Sequence, residues 1–321
     1  MTRKMLICGA TGFIGRNLLE YFGRQANYEV YGTYHDSPPV AFHGVRLVRA
    51  DLTRREDVER VVRGMDIVVQ AAATSSGVKD VIQNPSHHVT DNAVMNALIF
   101  RACYDYRVSQ VVYFSCTAMY PYSEQPLRET DFDAKQELDP IVFGKAWTKV
   151  YNEKMCEYFA QQGSACWTVI RHSHVYGPYD KVDLEQTQNM SSMLAMVLAA
   201  PSGGAIEIRG DNSHGHDLLY VGDLVDFVER ALDRQQAQYE LFNVGGGYMI
   251  CAEDLVKKIV RASGGDLVIR FNTNQTAVNM SPCLDCNKAR ELLGWTPETS
   301  LDEGLQETIS WVLTQQTLTV T

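Results

Sequence analysis

The chain has 321 residues, 45% hydrophobic and 21% charged, which excludes disordered and fibrous proteins and allows one large or two modest domains. Twenty-nine basic against 39 acidic residues leave a net charge of −10 without any block of like charges, so the acidity reads as a solubilising surface and no nucleic-acid partner is expected. The longest apolar run, Met193 to Ala200, is eight residues, against the roughly 20 of a membrane-spanning helix, so no membrane partner is expected.

In chain order, Lys4–Cys8 predicts a strand and Phe13–Phe22 a helix. Tyr28–Tyr34 and Val45–Ala50 follow as strands, Arg55–Arg63 as a polar helix, and Asp66–Ala72 as a fourth strand. A helix at Asp91–Tyr106, a strand at Gln110–Ser115, a long helix at Lys145–Gln162 and a strand at Ala165–Arg171 complete the first half. Such alternation calls for a parallel sheet covered on both faces. Beyond Arg171 the pattern loosens. Asp180–Met190 reads as a loop, Met193–Ala200 as a helix, Ala205–Arg209 as a strand and Gly210–Ser213 as a turn. Strands at Asp217–Val221 and Glu240–Val244 flank a helix at Asp223–Arg234. Helices at Glu253–Ser263, Asn287–Leu293 and Leu301–Leu313 follow, with a frayed tail from Gln315.

Between the first strand and the first helix stand Gly9, Gly12 and Gly15, spaced G-x-x-G-x-x-G, with Thr11, Phe13 and Ile14 in the same turn. Glycines there permit a tight turn, close backbone approach to a pyrophosphate and close helix–sheet packing, while the helix N-terminus favours the anion. The strand–turn–helix context turns a weak motif into an expectation of a nicotinamide dinucleotide. Asp51 and Leu52 lie where the adenine would rest, and Ala71, Ala72 and Ala73 leave room for the cofactor backbone. After the second strand come Tyr34, His35 and Asp36. Asp36 suits a ribose hydroxyl, and His35 with Arg16 suits a 2′-phosphate. The choice between NAD and NADP stays open, leaning to NADP because Tyr34 holds the usual acidic position. The predicted fold is α/β. A Rossmann doubly wound parallel sheet spans residues 1–171 with returning segments at about 215–245, and residues 172–214 and 246–313 form a smaller α/β substrate lobe. The eight cysteines are scattered; Cys283 and Cys286 form a lone Cys-x-x-Cys read as structural, so no metal is expected. Arg3 and Lys4 precede an apolar run that glycines interrupt, which does not make a signal peptide, and a cytoplasmic setting is the simplest.

The segments GATGFIG, AAA, YFSCTAMYP, TK-x3-E, RHSHVYGP, LLYVGDLVD, NVGGG and LLGWTP, spread from residue 6 to about 312, resemble the extended short-chain dehydrogenases/reductases of the NAD-dependent epimerase/dehydratase family, which act on nucleoside-diphosphate sugars. The stretch from Ala73 to Tyr120 and KVYNEKMCEYF look most like the GDP-fucose synthase group. The resemblance implies a Ser or Thr at the end of the fifth strand and a Tyr-x-x-x-Lys on the next helix, the lysine holding the nicotinamide ribose. Lys149 matches that lysine, but Lys145 stands in the tyrosine position and Cys116 in the serine position, between Ser115 and Thr117. A shifted register that brings in Tyr120 or Tyr151 is the alternative, although Tyr151 lies on the wrong side of Lys149. His172 and His174 replace the family's Pro and Asn, and His216 replaces a diphosphate-binding arginine. Tyr179, Lys181, Asn189, Arg209 and His216 are the implied substrate contacts; Ser115, Lys149 and His174 complete the implied cofactor contacts. The fucose-synthase acid/base cysteine and histidine fall at Ala118 and near Asp183, so its double epimerisation is not carried over. The family also implies a homodimer through the two long helices, with Ala93, Leu98, Ala102, Met155 and Phe159 offered for the seam.

Lys145 and Lys149 are one helical turn apart, so both rise from one face. Mutual repulsion and desolvation lower the pKa of at least one of them. Lys145 then serves as acid/base, as an anion contact, or as an inert surface residue. Cys116 is either a thiolate favoured by the lysines or a small apolar filler, which makes Thr117 the better hydrogen-bond donor. His87 and His88 read as loop residues, and His214 and His216 as possible substrate contacts. Three functions stay in play: hydride transfer on a nucleotide sugar, the same chemistry on a substrate without the nucleotide, and a catalytically quiet dinucleotide-binding protein.

Overall fold

The computed structural model describes residues 2–37, 42–74, 85–121, 123–138, 140, 142–180, 190–209, 215–272 and 282–319. Seven strands make one parallel sheet: β1 (Arg3–Cys8), β2 (Tyr28–Tyr34), β3 (Val45–Arg49), β4 (Ile67–Gln70), β5 (Gln110–Phe114), β6 (Cys166–His172) and β10 (Tyr239–Val244). Their order is β10-β6-β5-β4-β1-β2-β3 and every pair is parallel. The chain therefore winds outward from β1 in both directions, the doubly wound α/β arrangement, with its switch point beside β1.

Alternation along each strand assigns the two faces. Met5, Ile7, Val69, Val112, Phe114 and Ile170 bury themselves under α1 (Phe13–Phe22), α6 (Val221–Arg234) and α8 (Asn287–Leu293). Leu6, Val68, Val111, Tyr113 and Trp167 do so under α2 (Arg55–Val62), α3 (Pro85–Asp105) and α4 (Phe143–Gln162). Strand β4 is buried at all four positions, as expected for a strand covered on both sides. A third core joins α5 (Met190–Ala199), β8 (Ala205–Arg209), α7 (Ala252–Ala262) and α9 (Leu301–Thr319).

The regular elements begin and end close to where hydrophobic periodicity puts them, with informative departures. Helix α3 starts at Pro85 rather than Asp91, because proline is tolerated in the first turn, where no N–H partner is needed. His87 and His88 thus lie in its opening turns and not in a loop. Strand β4 stops at Gln70, whose side-chain amide bonds the Ala72 carbonyl at 3.1 Å and takes the chain off the ladder. Two three-residue strands too short to show a period were missed, β7 (His174–Tyr176) and β11 (Met249–Cys251), and so was the five-residue β12 (Val268–Asn272). Strand β9 (Gly215–Tyr220) joins β7 and β11 in a small sheet, and β12 pairs β8. Helix α9 continues to Thr319, past the point where fraying was expected. The predicted Asp180–Met190 loop falls mostly, and the Gly210–Ser213 turn wholly, outside the described residues.

Candidate active site

The glycine turn is built by contacts that exclude side chains. Gly9 has φ +75°, and a Cβ there would stand 2.7 Å from the Ala72 backbone. A Cβ at Gly15 would stand 2.8 Å from the Gly9 carbonyl carbon and closer still to its oxygen. The Gly9 amide donates to Thr33 Oγ1 at 3.0 Å, and the Ala10 amide to the Thr33 carbonyl at 2.9 Å. Gly12 caps α1 without any side-chain acceptor, and the first turn carries no acid. The opening amides of α1, around Phe13 and Ile14, are therefore left to an outside anion. A bare, uncapped helix N-terminus at the switch point, held by Gly9 and Gly15 where a side chain would press on backbone, fits a dinucleotide pyrophosphate.

The adenosine end has mixed charge. Exposed His35 pairs with Asp36 at 3.1 Å and stands 4.0 Å from Asp51. Arg49 reaches Asp36 at 3.9 Å. Two hydrogen bonds from Thr53, led by its hydroxyl at 2.6 Å, hold the Asp51 carboxyl below its usual range. Arg16 is bound to Glu20 at 2.7 Å and lies over the rings of Phe42 and Tyr179, so it does not join His35 as expected. Leu52 is buried and Tyr34 half-buried. Ala71 and Ala72 follow β4 against the first turn, with the Ala71 amide donating to the Cys8 carbonyl at 3.2 Å; Ala73 is exposed.

At the other end, Lys149 Nζ donates to the Phe114 carbonyl at 2.6 Å and lies 5.0 Å from the Tyr113 ring centroid. Burial lowers the Lys149 pKa, and Lys145 adds to the effect. Lys145 is exposed one turn away and has no ion pair or hydrogen bond to a described residue. Cys116 is half-buried against Met119, Ala146 and Val150, within electrostatic reach of Lys149. Thr117 is half-buried, and its hydroxyl meets no described residue.

Neither alternative tyrosine is available. Tyr120 is buried; its hydroxyl donates to Asn243 Oδ1 at 2.7 Å and accepts from Arg171 at 2.9 Å. Burial pushes its pKa up to about 12. Tyr151 is 58% exposed, on a different face of α4 from Lys149. Ser115 also departs from expectation: it is buried, and its hydroxyl donates to Glu153 Oε1 at 2.5 Å rather than facing a cofactor. Glu153 in turn holds Arg171 at 2.7 Å. The sequence carried one sign of this network, the glutamate four residues after Lys149, but not its partners.

The histidines gather. His172 packs on Phe114 at 6.2 Å, and His174 meets His216 edge to face at 5.7 Å. Burial depresses His172 to about 4, helped by Lys149 and Lys145, and His174 to about 3, helped by His216 and Lys145. Both rings are neutral at pH 7. His216 is buried on β9 beside Asp217, whose carboxylate accepts from Gly246 N at 2.7 Å and Leu284 N at 2.9 Å. Tyr179 belongs elsewhere than expected: its hydroxyl donates to Glu20 at 2.7 Å and its ring meets Trp311, so it bridges α1 and α9. Lys181, Asn189 and His214 lie outside the described residues, as does the side chain of Arg209 at the end of β8. Among the described residues no cluster of three His, Cys, Asp or Glu could hold a metal, and no helix is long and apolar enough to cross a membrane.

The chain has relatives among known proteins in both sequence and fold. GDP-L-fucose synthase of Azorhizobium caulinodans is 26% identical over 317 residues, covering 97% of each chain. A dTDP-4-dehydro-6-deoxy-D-allose reductase of Streptomyces is 26% identical over 319 residues, covering 96% of each. Among solved structures, UDP-glucose 4-epimerase of Thermotoga maritima with UDP-glucose shares the fold at a TM-score of 0.83 and 22% identity, over 98% of this chain and 99% of that one. UDP-glucuronic acid 4-epimerase of Bacillus cereus, in complex with UDP-glucuronic acid and NAD, does so at 0.81 and 20% identity, over 97% and 99%. The model of the NAD dependent epimerase/dehydratase family matches residues 5–245, three-quarters of the sequence, and the chain belongs to that family.

Proposed function

We propose that the chain transfers hydride between a nicotinamide dinucleotide and a nucleoside-diphosphate sugar, as an epimerase, reductase or dehydratase, with Lys145 exchanging the proton of the reacting hydroxyl. The observation that carries this reading is the lysine pair at the strand ends. Lys145 is exposed one turn from half-buried Lys149, while Tyr120 is locked into a buried network and Tyr151 faces away. The dinucleotide supplies the hydride donor or acceptor when bound at the glycine turn. Lys149 spends one N–H on the Phe114 carbonyl and keeps two for cofactor hydroxyls. Thr117 offers a hydroxyl donor where Cys116 offers only a weak thiol. The GDP- and dTDP-sugar enzymes among the relatives support the substrate class.

The test is Lys145→Met. Loss of an acid/base group lowers turnover by roughly 10²–10⁴-fold with cofactor affinity nearly intact. Lys149→Met, by contrast, weakens dinucleotide binding. A Lys145→Met enzyme with raised Michaelis constant and unchanged turnover would make the lysine an anion contact. One unchanged in both constants would end its catalytic role.

NADP is the form we favour, since Tyr34 brings no carboxylate to the 2′ position and His35 and Arg49 stand beside it. Asp36 and Asp51 offset part of that charge, so the preference is modest. All eight thiols are free, which supports a cytoplasmic setting. For the homodimer the seam differs from expectation. Ala102 is buried inside the subunit, and Leu98, Met155 and Phe159 pack against the same core. The exposed apolar side chains on the two helices are instead Val94 and Tyr104 on α3, and Phe143, Tyr151 and Tyr158 on α4. Spacings of eight and seven residues along α4 keep its three on one stripe.

A further inference from the structure

His172 ends β6 in a place where a neutral imidazole has only one N–H to give. Its Nδ1 lies 2.8 Å from the Ser173 carbonyl oxygen. A carbonyl accepts and cannot donate, so Nδ1 carries the proton and Nε2 is left as a bare acceptor. Burial next to two lysines keeps the ring uncharged down to about pH 4, which preserves that lone pair. The groups around it are Phe114 on β5, Lys149 and Lys145 on α4, and His174 on β7. All are apolar, cationic or neutral, and none is a carboxylate. Lys149, which bonds the carbonyl of the same Phe114, still has two N–H groups to place. Among the described residues nothing takes the remaining Lys149 donors or the Nε2 acceptor, and both groups lie at the ends of β5 and β6.

Sheet order says which part of a bound dinucleotide arrives there. The pyrophosphate site follows β1, and β2 and β3 lie on one side of it. On the other side β4, β5 and β6 follow in turn, so the end of β6 lies three strand spacings, about 14 Å, from β1. His35 and Asp51 stand on the β2–β3 side, which suits adenosine; the nicotinamide half then runs toward β5 and β6. A nicotinamide carries a primary carboxamide, whose NH₂ is a donor.

We propose that His172 Nε2 accepts a hydrogen bond from the carboxamide NH₂ of the nicotinamide and so fixes the rotation of the ring over the lysine pair. His172 is a positioning residue in this scheme and exchanges no proton. The inference rests on the reading of the glycine turn as a dinucleotide site. The proline that the family resemblance places at this position has no side-chain acceptor, so the contact belongs to this chain.

The experiment compares binding of NAD(P)H with that of the 3-acetylpyridine analogues, in which a methyl ketone replaces the carboxamide and the NH₂ is gone. Affinities are read by fluorescence quenching or calorimetry on wild type, His172→Gln, which keeps an acceptor, and His172→Phe, which does not. Wild type binds the analogue about tenfold more weakly. His172→Gln keeps much of the difference, and His172→Phe binds both alike. Imidazole ¹⁵N spectra of wild type show the Nδ1–H tautomer and no titration near pH 6.5. Equal affinities in wild type, discrimination that survives in His172→Phe, or an Nε2–H tautomer would each overturn the proposal while leaving the dinucleotide site standing. Failure of wild type to bind either dinucleotide would overturn the site and the proposal together. A change confined to the Michaelis constant of the sugar would reassign Nε2 to a substrate hydroxyl and also overturn it.

Discussion

Replacing Gly15 by alanine sets two opposed effects of known size against each other. In an ordinary helix interior the change gains about 1 kcal/mol from propensity. Here the new Cβ would sit 2.8 Å from the Gly9 carbonyl carbon and 3.2 Å from Ala10 Cα, and nearer still to the Gly9 oxygen. All three are backbone atoms, so no flexible side chain can move aside. Gly9 itself cannot retreat, because its own Cα faces the Ala72 backbone and its amide is held by Thr33. Overpacking costs roughly 1–3 kcal/mol, and a backbone contact this close lies in the upper part of that range, so the net change is a loss of about 1–2 kcal/mol. The assay is urea unfolding, read as a lower midpoint at constant slope. Dinucleotide affinity falls too, because the turn that aims the α1 amides has shifted. Gly163→Ala is the control: its nearest neighbour would be 3.5 Å away, an ordinary contact, and stability stays within about 0.5 kcal/mol. A Gly15→Ala protein more stable than wild type would refute the steric account of the motif.

Two other predictions concern pH and assembly. His172 and His174, depressed from 6.5 to about 4 and about 3, favour the folded state only while neutral, so their contribution is complete above pH 6.5 and is lost as pH falls. Asp217, raised from 3.8 to about 6 by burial, works in the opposite sense and stabilises as pH falls from 6 toward 4. Each group contributes about 1.4 kcal/mol per pH unit in its window, so between pH 6 and 4 the two histidines outweigh the one carboxylate. His174→Asn removes one of the three slopes; unfolding midpoints of wild type and variant that run parallel from pH 6.5 to 4.5 would contradict this. Wild type is expected to scatter light as a dimer at micromolar concentration, and Val94→Asp with Tyr151→Glu as a monomer. A dimeric double variant would exclude the α3–α4 face as the seam.

How much was legible beforehand follows from the range of the interactions involved. Helix α1 and strand β2 fall on their predicted residues because periodicity and the glycine turn are local properties, written within ten residues. The one-turn spacing of Lys145 and Lys149 is equally local, and so was the order of strands and helices that implies a parallel sheet. Tertiary structure alone decided which side chains near that pair are free to act. Tyr120 is withdrawn by Arg171 and Asn243, 51 and 123 residues away, and Ser115 by Glu153, 38 away. His174 meets His216 only because β7 and β9 pair, and β7 is a three-residue strand with no period to read. The tautomer of His172 depends on a 2.8 Å contact with its own neighbour's carbonyl, which adjacency in the chain does not specify. Local pattern determines where backbone hydrogen bonds can form, whereas the protonation and availability of a side chain depend on which distant groups burial brings against it.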